Sequence, residues 1–222
     1  MKSKKTLELV QVAMFLAIIL LLAFTPNFGY IPVGPTRATI VHIPVILGAI
    51  ALGPKKGAFL GSIFGLTSLI NNTINPTVTS FVFSPFYTLG DVNGGIFSVI
   101  ICFVPRILVG VVPFFIYALI RRVMKASKSS NLIGLTLAGI LGSMTNTLLV
   151  MNMIYFFFGK SYAAAKEASF ETLYHAVILP VITFNGVIEA IIAGILTCAI
   201  GIALIGAKII IPPSSRSTMN IK

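Results

Sequence analysis

The polar residues of this sequence that are best suited to chemistry lie inside apolar stretches. Arg106 is in ICFVPRILVGVVPFF, Asn146 is in SMTNTLLVMNMIYFFFG, and Asn185 and Glu189 are in VITFNGVIEAII. A charged side chain surrounded by lipid is costly and normally faces a partner or a wet cavity. Arg106 is therefore either a structural clamp, on outer-loop carbonyls or on Glu189, or a binding group for an anionic ligand.

Helical geometry predicts that three of these residues lie at a similar depth. Arg106 is about ten residues from the outer end of its helix, or roughly 15 Å at the rise of an α-helix. Asn146 and Asn185 are each about a dozen residues from the outer surface by the same helical reasoning. Asn185 and Glu189 are four residues apart and therefore share one helix face.

The sequence contains few side chains that could take part in catalysis. The chain has five acidic residues and two histidines, with no His-Glu-x-x-His motif and no cluster of Cys and His, so we expect no metal site. Gly-Lys-Ser at 159–161 lacks the earlier phosphate-loop glycine, since Ile154 stands there. An intramembrane hydrolase would need a nucleophile–base pair that is not evident. We predict a protein that is not an enzyme.

The composition predicts an all-α integral membrane protein. Of the 222 residues 57% are hydrophobic and 9% are charged, against about 25% charged in soluble domains. We predict a single membrane domain over 1–222 with an uncleaved first helix. The domain is a six-transmembrane-helix bundle with helices at about 8–26, 38–53, 57–75, 96–121, 131–158 and 173–206.

The basic residues predict the orientation in the cell membrane. One set of connections and termini holds Lys2, Lys4, Lys5, Lys55, Lys56, Arg121, Arg122, Lys125, Lys128, Lys208, Arg216 and Lys222. The opposite set holds Arg37, Lys160 and Lys166. Because cytoplasmic loops carry the excess of Lys and Arg, both termini are predicted to be cytoplasmic. The same distribution argues against a nucleic-acid partner.

Small residues predict where helices approach closely. Gly57, Gly61 and Gly65 repeat every four residues, as do Gly134, Ala138 and Gly142. Such ridges let helix backbones pack tightly in lipid. Ala13 and Ala17 form a further small pair on the first helix.

The third connection, INNTINPTVTSFVFSPFYTLGDVNGG, offers amide side chains together with Ser84 and Tyr87. Apolar pockets with a few polar anchors have this composition. Phe81 and Phe83 are instead expected to be aromatic anchors at the membrane surface. His42 is expected to cap the outer end of the second helix.

Four segments of the sequence resemble the substrate-binding S components of energy-coupling factor (ECF) vitamin transporters. These segments are ALGPKKGAFLG (51–61), VPRILVG (104–110), GSMTNTLLV (142–150) and FNGVIEA (184–190). The resemblance implies a subunit that captures a vitamin from outside with high affinity. It also implies docking, through the Ala-x-x-x-Ala pair Ala13 and Ala17, on a transmembrane scaffold with two ATPase subunits. The ATP is then used by those partners, and this chain needs no cofactor.

Within that family the second helix and third loop are most similar to the pantothenate-type branch. Riboflavin, folate and other vitamins or precursors are alternatives within the family. A stand-alone secondary transporter or channel is the alternative outside it, although ion-coupling carboxylates and inverted repeats are not evident. From the polar residues at membrane depth and in the third connection, we predict these substrate-binding residues: Arg106, Asn146, Asn185, Asn72, Asn71, Asn93, Asn152 and Tyr87.

Overall fold

The computed structural model describes residues 4–25, 29–33, 36–90 and 92–210. Lys2, Arg216 and Lys222, which the predicted orientation uses, lie outside these ranges. The helices are α1 (Lys4–Phe24), α2 (His42–Leu52), α3 (Pro54–Ile74), α4 (Gly95–Val109), α5 (Val112–Val123), α6 (Lys128–Ala165), α7 (Phe170–Leu173) and α8 (Val187–Gly206). Two π-helical stretches, Tyr174–Ile178 and Val181–Gly186, make α7 and α8 one continuous helical rod.

The connections at one end of the bundle contain short elements that the sequence did not predict. Strand β1 (Tyr30–Val33) pairs antiparallel with β2 (Thr36–Thr39), and β3 (Thr88–Leu89) pairs with β4 (Val92–Asn93). A 3-10 turn covers Ser80–Val82. We call this end of the bundle the loop end. The opposite end, with the short α2–α3 and α5–α6 connections, is the turn end.

The prediction of an all-helical membrane protein is confirmed, but the count of six spans is not. Within the described ranges, four helical segments are long and apolar enough to cross a membrane: Lys5–Phe24, Gly95–Val123, Lys128–Ala165 and Phe170–Gly206. Helix α2 has 11 residues, about 16 Å at helical rise, against a hydrocarbon core of about 30 Å. Helix α3 has 21 residues but carries polar side chains along its length.

Three predicted helix ranges differ from the structure. The second predicted helix, 38–53, begins only at His42, because Thr36–Thr39 form β2. The fourth predicted helix, 96–121, is interrupted at 110–111, between α4 and α5. Pro113 has no N–H to continue the ladder across this point, and Gly110 allows close packing there. The fifth helix runs past 158 to Ala165. Alanines favour the helix there, and Gly159 packs under the Phe170 ring.

The predicted glycine ridges are confirmed as packing surfaces. A β-carbon on Gly57 or Gly61 would overlap the backbone carbonyl oxygen of Gly110 or Arg106, and one on Gly65 would lie 2.9 Å from that of Cys102. The α3 ridge therefore sets the position of α4. On α6, a β-carbon on Gly134 would lie 2.9 Å from the Tyr117 ring, and one on Gly142 would lie 2.8 Å from Pro113.

Two apolar clusters form the interior, and three helices contribute to both. The first core cluster is gathered around α1 and α2, and the second lies toward the loop end. Between its two contributions each shared helix carries polar residues. Arg106 lies between Ile101 and Val109, Asn146 lies between Ala138 and Val150, and Asn185 and Glu189 lie between Ile182 and Ala193. A polar layer thus separates the clusters on these helices.

Candidate ligand-binding site

Arg106, on α4, is the buried cation of the polar layer. Its side chain is only 6% exposed. Nη1 donates to the Ile101 carbonyl oxygen at 2.7 Å, and Nη2 donates to Ser68 Oγ at 3.4 Å. The guanidinium carbon lies 5.6 Å from the centroid of the Phe64 ring and 5.4 Å from that of Phe83. Aromatic faces stabilise a cation without neutralising it.

Within the described part of the chain, the charge of Arg106 has no close counter-ion. Across the residues that the structure describes, no carboxylate oxygen lies within 4.0 Å of the guanidinium, and Nε has no hydrogen-bond partner. Glu189 is close enough to interact electrostatically with Arg106, but neither a hydrogen bond nor an ion pair joins the two side chains. The sequence predicted that a structural clamp would bond Arg106 to an outer-loop carbonyl or to Glu189. Among the described residues, Arg106 makes neither contact. A buried guanidinium with an unused N–H is suited to bind an anion.

A hydrogen-bond chain extends from Arg106 along α3 toward the loop end. Ser68, which accepts from Arg106, also offers its carbonyl oxygen to Asn72 Nδ2 at 2.8 Å. Asn72 Oδ1 accepts from Ser80 Oγ at 2.9 Å, and Ser80 Oγ in turn accepts from the Thr77 backbone N–H at 2.8 Å. Asn72 therefore connects the predicted anion site to the third connection.

Further hydrogen bonds hold the third connection against α3 and α4. Thr73 Oγ1 and Ser84 Oγ are 2.7 Å apart, and Ser98 Oγ donates to the Phe81 carbonyl oxygen at 2.6 Å. Cys102 Sγ donates to the Phe83 carbonyl oxygen at 2.9 Å. Each of these hydrogen bonds attaches one residue of the third connection to α3 or α4. The part of the connection that contains Phe83, which lies over Arg106, is thus fixed to both helices.

The expectation that Phe81 and Phe83 anchor the membrane surface is wrong. Phe81 is completely buried in the second core cluster, where its ring meets that of Phe158 edge to face at 5.8 Å. Phe83 is half-buried and faces Arg106. The 3-10 turn at Ser80–Val82 folds this segment inward, a conformation that the local sequence pattern did not indicate.

The second wall of the polar layer comes from α6 and α8. Asn146 is 8% exposed. Glu189 Oε1 accepts from the Thr39 backbone N–H at 2.8 Å, and the Thr147 side chain lies beside the Glu189 carboxyl group. A β-carbon on Gly186 would lie 2.9 Å from Thr147 Cγ2, so α6 and the π-helical stretch pack closely here. Glu189 therefore ties α8 to the strand β2.

The other predicted ligand-binding residues lie at varying distances from this layer. Asn185 is half-buried in the π-helical stretch. Asn71 is half-buried and accepts from Asn75 Nδ2 at 3.1 Å. Tyr87 packs against the second core cluster. Asn93 is exposed in β4, and Asn152 donates to the Leu148 carbonyl oxygen of its own helix at 2.7 Å. The described contacts join neither of the last two to Arg106.

Three residues that contact or approach Arg106 were missed by the sequence reasoning. Phe64, Ser68 and Cys102 are buried around it. A signal existed on α3, since Phe64, Ser68 and Asn72 are spaced by four residues and therefore share one helix face. No comparable signal pointed to Cys102.

The predicted docking pair lies on the open side of α1. Ala13 and Ala17 are both exposed, whereas Phe15 and Ile19 face the first core cluster. The exposed side also carries large apolar residues, among them Met14 and Leu21. Small residues on an exposed helix face permit close approach of another helix.

Comparison with known proteins identifies the family. The family model described as "ECF transporter, substrate-specific component" matches residues 7–201. A pantothenic acid transporter, PanT, of Lactococcus lactis subsp. cremoris is 39% identical over 210 residues, which are 94% of this chain and 98% of that protein. The pantothenate transporter PanT of Leuconostoc mesenteroides is 29% identical over 214 residues, 92% of this chain and 95% of that protein. The chain is therefore a multi-pass protein of the plasma membrane that belongs to the family of substrate-specific components of ECF transporters.

Proposed function

We propose that this chain captures pantothenate from outside the cell, with the vitamin's carboxylate bound at Arg106. The observation that carries the proposal is the guanidinium itself, which is buried and has no carboxylate oxygen within 4.0 Å among the described residues. Leaving a buried charge unpaired is costly, and an anionic ligand would remove that cost. The two similar proteins named as pantothenate transporters support the choice of vitamin.

The partners follow from membership of the family. We propose that the chain forms a single membrane domain of six helices with cytoplasmic termini and docks on a transmembrane scaffold that carries two ATPase subunits. The exposure of Ala13 and Ala17 on α1 supports the use of this face for docking. ATP is hydrolysed by the partners, and the chain itself needs no cofactor and catalyses no reaction.

Ligand identity is tested by titration of the purified chain in detergent. We expect calorimetric binding of pantothenate without ATP or partner subunits, and no binding of riboflavin or folate at the same concentrations. Native mass spectrometry of the freshly purified chain provides an independent measurement, since a tightly bound vitamin is retained. Binding of riboflavin or folate in place of pantothenate would overturn the ligand assignment.

Dependence on partners is tested in liposomes. Uptake of labelled pantothenate should require the scaffold, both ATPases and enclosed ATP. Vesicles that contain the chain alone, with an imposed ion gradient, are the control. Uptake by the chain alone would contradict the proposed role and favour a secondary transporter.

A further inference from the structure

A second buried group with unused hydrogen-bonding capacity lies at the start of α2. His42 is 1% exposed, and in the described part of the chain neither ring nitrogen has a hydrogen-bond partner. It lies beside the backbone of Thr39, without a hydrogen bond of normal geometry. Buried polar groups are nearly always paired. A cap for the outer end of α2, the role expected from the sequence, leaves the imidazole unexplained.

Asn146 presents the same feature on α6. Its Oδ1 is buried and has no hydrogen-bond partner among the residues the structure describes. Gly142, one turn earlier on the same face, packs against Pro113 and Ile46. Because residues four apart share a helix face, Asn146 points into the bundle interior and away from lipid.

Helix register brings these two residues to the same level. A β-carbon on Gly142 would lie 2.9 Å from Ile46 Cδ1, so Ile46 and Gly142 are neighbours. Helix α2 runs away from the loop end and α6 runs toward it. His42, one turn before Ile46, therefore lies at the level of Asn146, one turn after Gly142.

Glu189 is the third member of this group. The Thr39 N–H donates to one oxygen of its carboxyl group, and the Thr147 side chain lies beside that group. A carboxylate has about four acceptor sites, so acceptor capacity remains. Thr147 follows Asn146 on α6, and Thr39 is three residues before His42. These links bring the ends of β2, α2 and α8 together beside α6.

We propose that His42, Asn146 and Glu189 form a second subsite, which binds the hydroxyl groups of the ligand whose carboxylate is held at Arg106. This inference rests on the proposed function and extends it to the orientation of the ligand. Pantothenate has a carboxylate at one end and two hydroxyl groups at the other. The Arg106 end supplies donors, and the second subsite supplies mainly acceptors, so the vitamin has one preferred direction in the site.

The subsite also explains how related anions are rejected. An anion without hydroxyl groups would satisfy Arg106 but leave His42 and Asn146 buried and unpaired. Sites built to bind a hydroxyl discriminate strongly against a ligand that lacks it, because their polar groups then remain unpaired. The second subsite would therefore decide which anions bind tightly. Arg106 would bind the carboxylate that all of these anions share.

The test combines ligand analogues with substitutions in the full-length chain. The ligands are pantothenate, its hydroxyl-free analogue N-(3,3-dimethylbutanoyl)-β-alanine, and panthenol, in which an alcohol replaces the carboxylate. We expect the hydroxyl-free analogue to bind the unsubstituted chain at least about tenfold more weakly than pantothenate. In Asn146→Ala and His42→Ala the affinity for pantothenate should fall toward that of the analogue, whose own affinity should change little.

Arg106→Ala provides the opposite pattern. It should weaken pantothenate and the hydroxyl-free analogue by the same factor, and it should leave panthenol binding nearly unchanged. Thr145→Ala is the matched control, since it removes a hydroxyl of α6 that bonds the Leu141 carbonyl oxygen of the same helix, and it should alter neither affinity. His42→Phe and Asn146→Leu, which remove the polar atoms and keep most of the side-chain volume, replace any alanine variant that fails to fold, as judged by thermal unfolding in detergent.

The outcomes separate the two proposals. If pantothenate binds but the subsite variants weaken both carboxylate ligands equally, the second subsite is wrong and the proposed function stands. Equal affinity of the unsubstituted chain for pantothenate and the hydroxyl-free analogue would also overturn the subsite alone. No binding of pantothenate by the unsubstituted chain would overturn the proposed function and the subsite together.

Discussion

Gly61 lies directly against the backbone of Arg106, and a β-carbon on Gly61 would overlap the Arg106 carbonyl oxygen. The contact joins the middle of α3 to the last turn of α4. Since the same α3 face contributes Phe64 and Ser68 to the surroundings of the guanidinium, the distance between the two helices determines where the charge lies.

Gly61→Ala is expected to displace α4 and weaken ligand binding. Overpacking a tight contact costs about 1–3 kcal/mol, and a shift of α4 would move the guanidinium away from Ser68. Both the thermal stability in detergent and the calorimetric affinity for pantothenate should therefore fall. Gly206→Ala is the control, because a β-carbon there meets nothing within 4 Å. Unchanged affinity in a stable Gly61→Ala protein would show that α3 does not position Arg106.

Arg106→Ala should cost about 2–5 kcal/mol of pantothenate binding, the range for truncating one partner of a buried charge pair. Arg106→Lys should restore little, because an ammonium does not reproduce the planar fork of a guanidinium. Titration calorimetry gives the affinity, and thermal unfolding gives the stability. If Arg106 is only a structural clamp, the folded variants will bind pantothenate normally and will differ only in stability or expression.

Ser80→Ala should loosen the third connection. The substitution removes the hydroxyl that donates to Asn72 and accepts from the Thr77 N–H, and each such hydrogen bond contributes about 0.5–1.5 kcal/mol. We expect a lower unfolding temperature and faster proteolytic cleavage within residues 75–90. Thr136→Ala removes an exposed hydroxyl that bonds only its own helix, and it should change neither. Equal protease resistance of the two variants would contradict the proposed fixing of this connection.

Ala17→Trp should prevent assembly with the scaffold and leave ligand binding intact. A large side chain on the exposed face of α1 keeps a partner helix from approaching closely, while the buried face with Phe15 and Ile19 is untouched. Co-purification with the scaffold measures assembly, and calorimetry measures binding. Ala17→Ser, which preserves the small side chain, is the matched control. Undiminished co-purification of Ala17→Trp would remove Ala17 from the docking face.

The helices and their packing ridges could be predicted from the sequence because lipid imposes a simple rule. Long apolar runs must be helical, since the backbone finds no other hydrogen-bond partner in a bilayer. The ridge of Gly57, Gly61 and Gly65 follows from spacing alone. Pro113 disfavours an unbroken helix across 110–111, but membrane helices tolerate proline, and the break also depends on the contact of Gly110 with Gly57. That contact exists only once α3 and α4 are packed together.

The candidate site could be predicted only in part. Arg106 and Asn146 were found because polar residues in apolar runs are conspicuous. Their surroundings depend on tertiary contacts that local patterns do not encode. Phe83 reaches Arg106 through an inward-folded connection, and His42 reaches the level of Asn146 through the register of α2 against α6. The position of His42 at the start of a helix suggested a capping role. Only the packing of α2 against α6 places it at the level of Asn146 in the bundle interior.

The division of the interior into two apolar clusters has a consequence for hydrogen exchange. Because polar residues separate the clusters on α4, on α6 and on the helix that joins α7 to α8, the two ends of the bundle are expected to open in separate cooperative units. A ligand that spans this layer, from Arg106 to Asn146, would join the units into one. Backbone amides at the loop end should then exchange slowly only when the vitamin is bound, while those around α2 should be protected in either state.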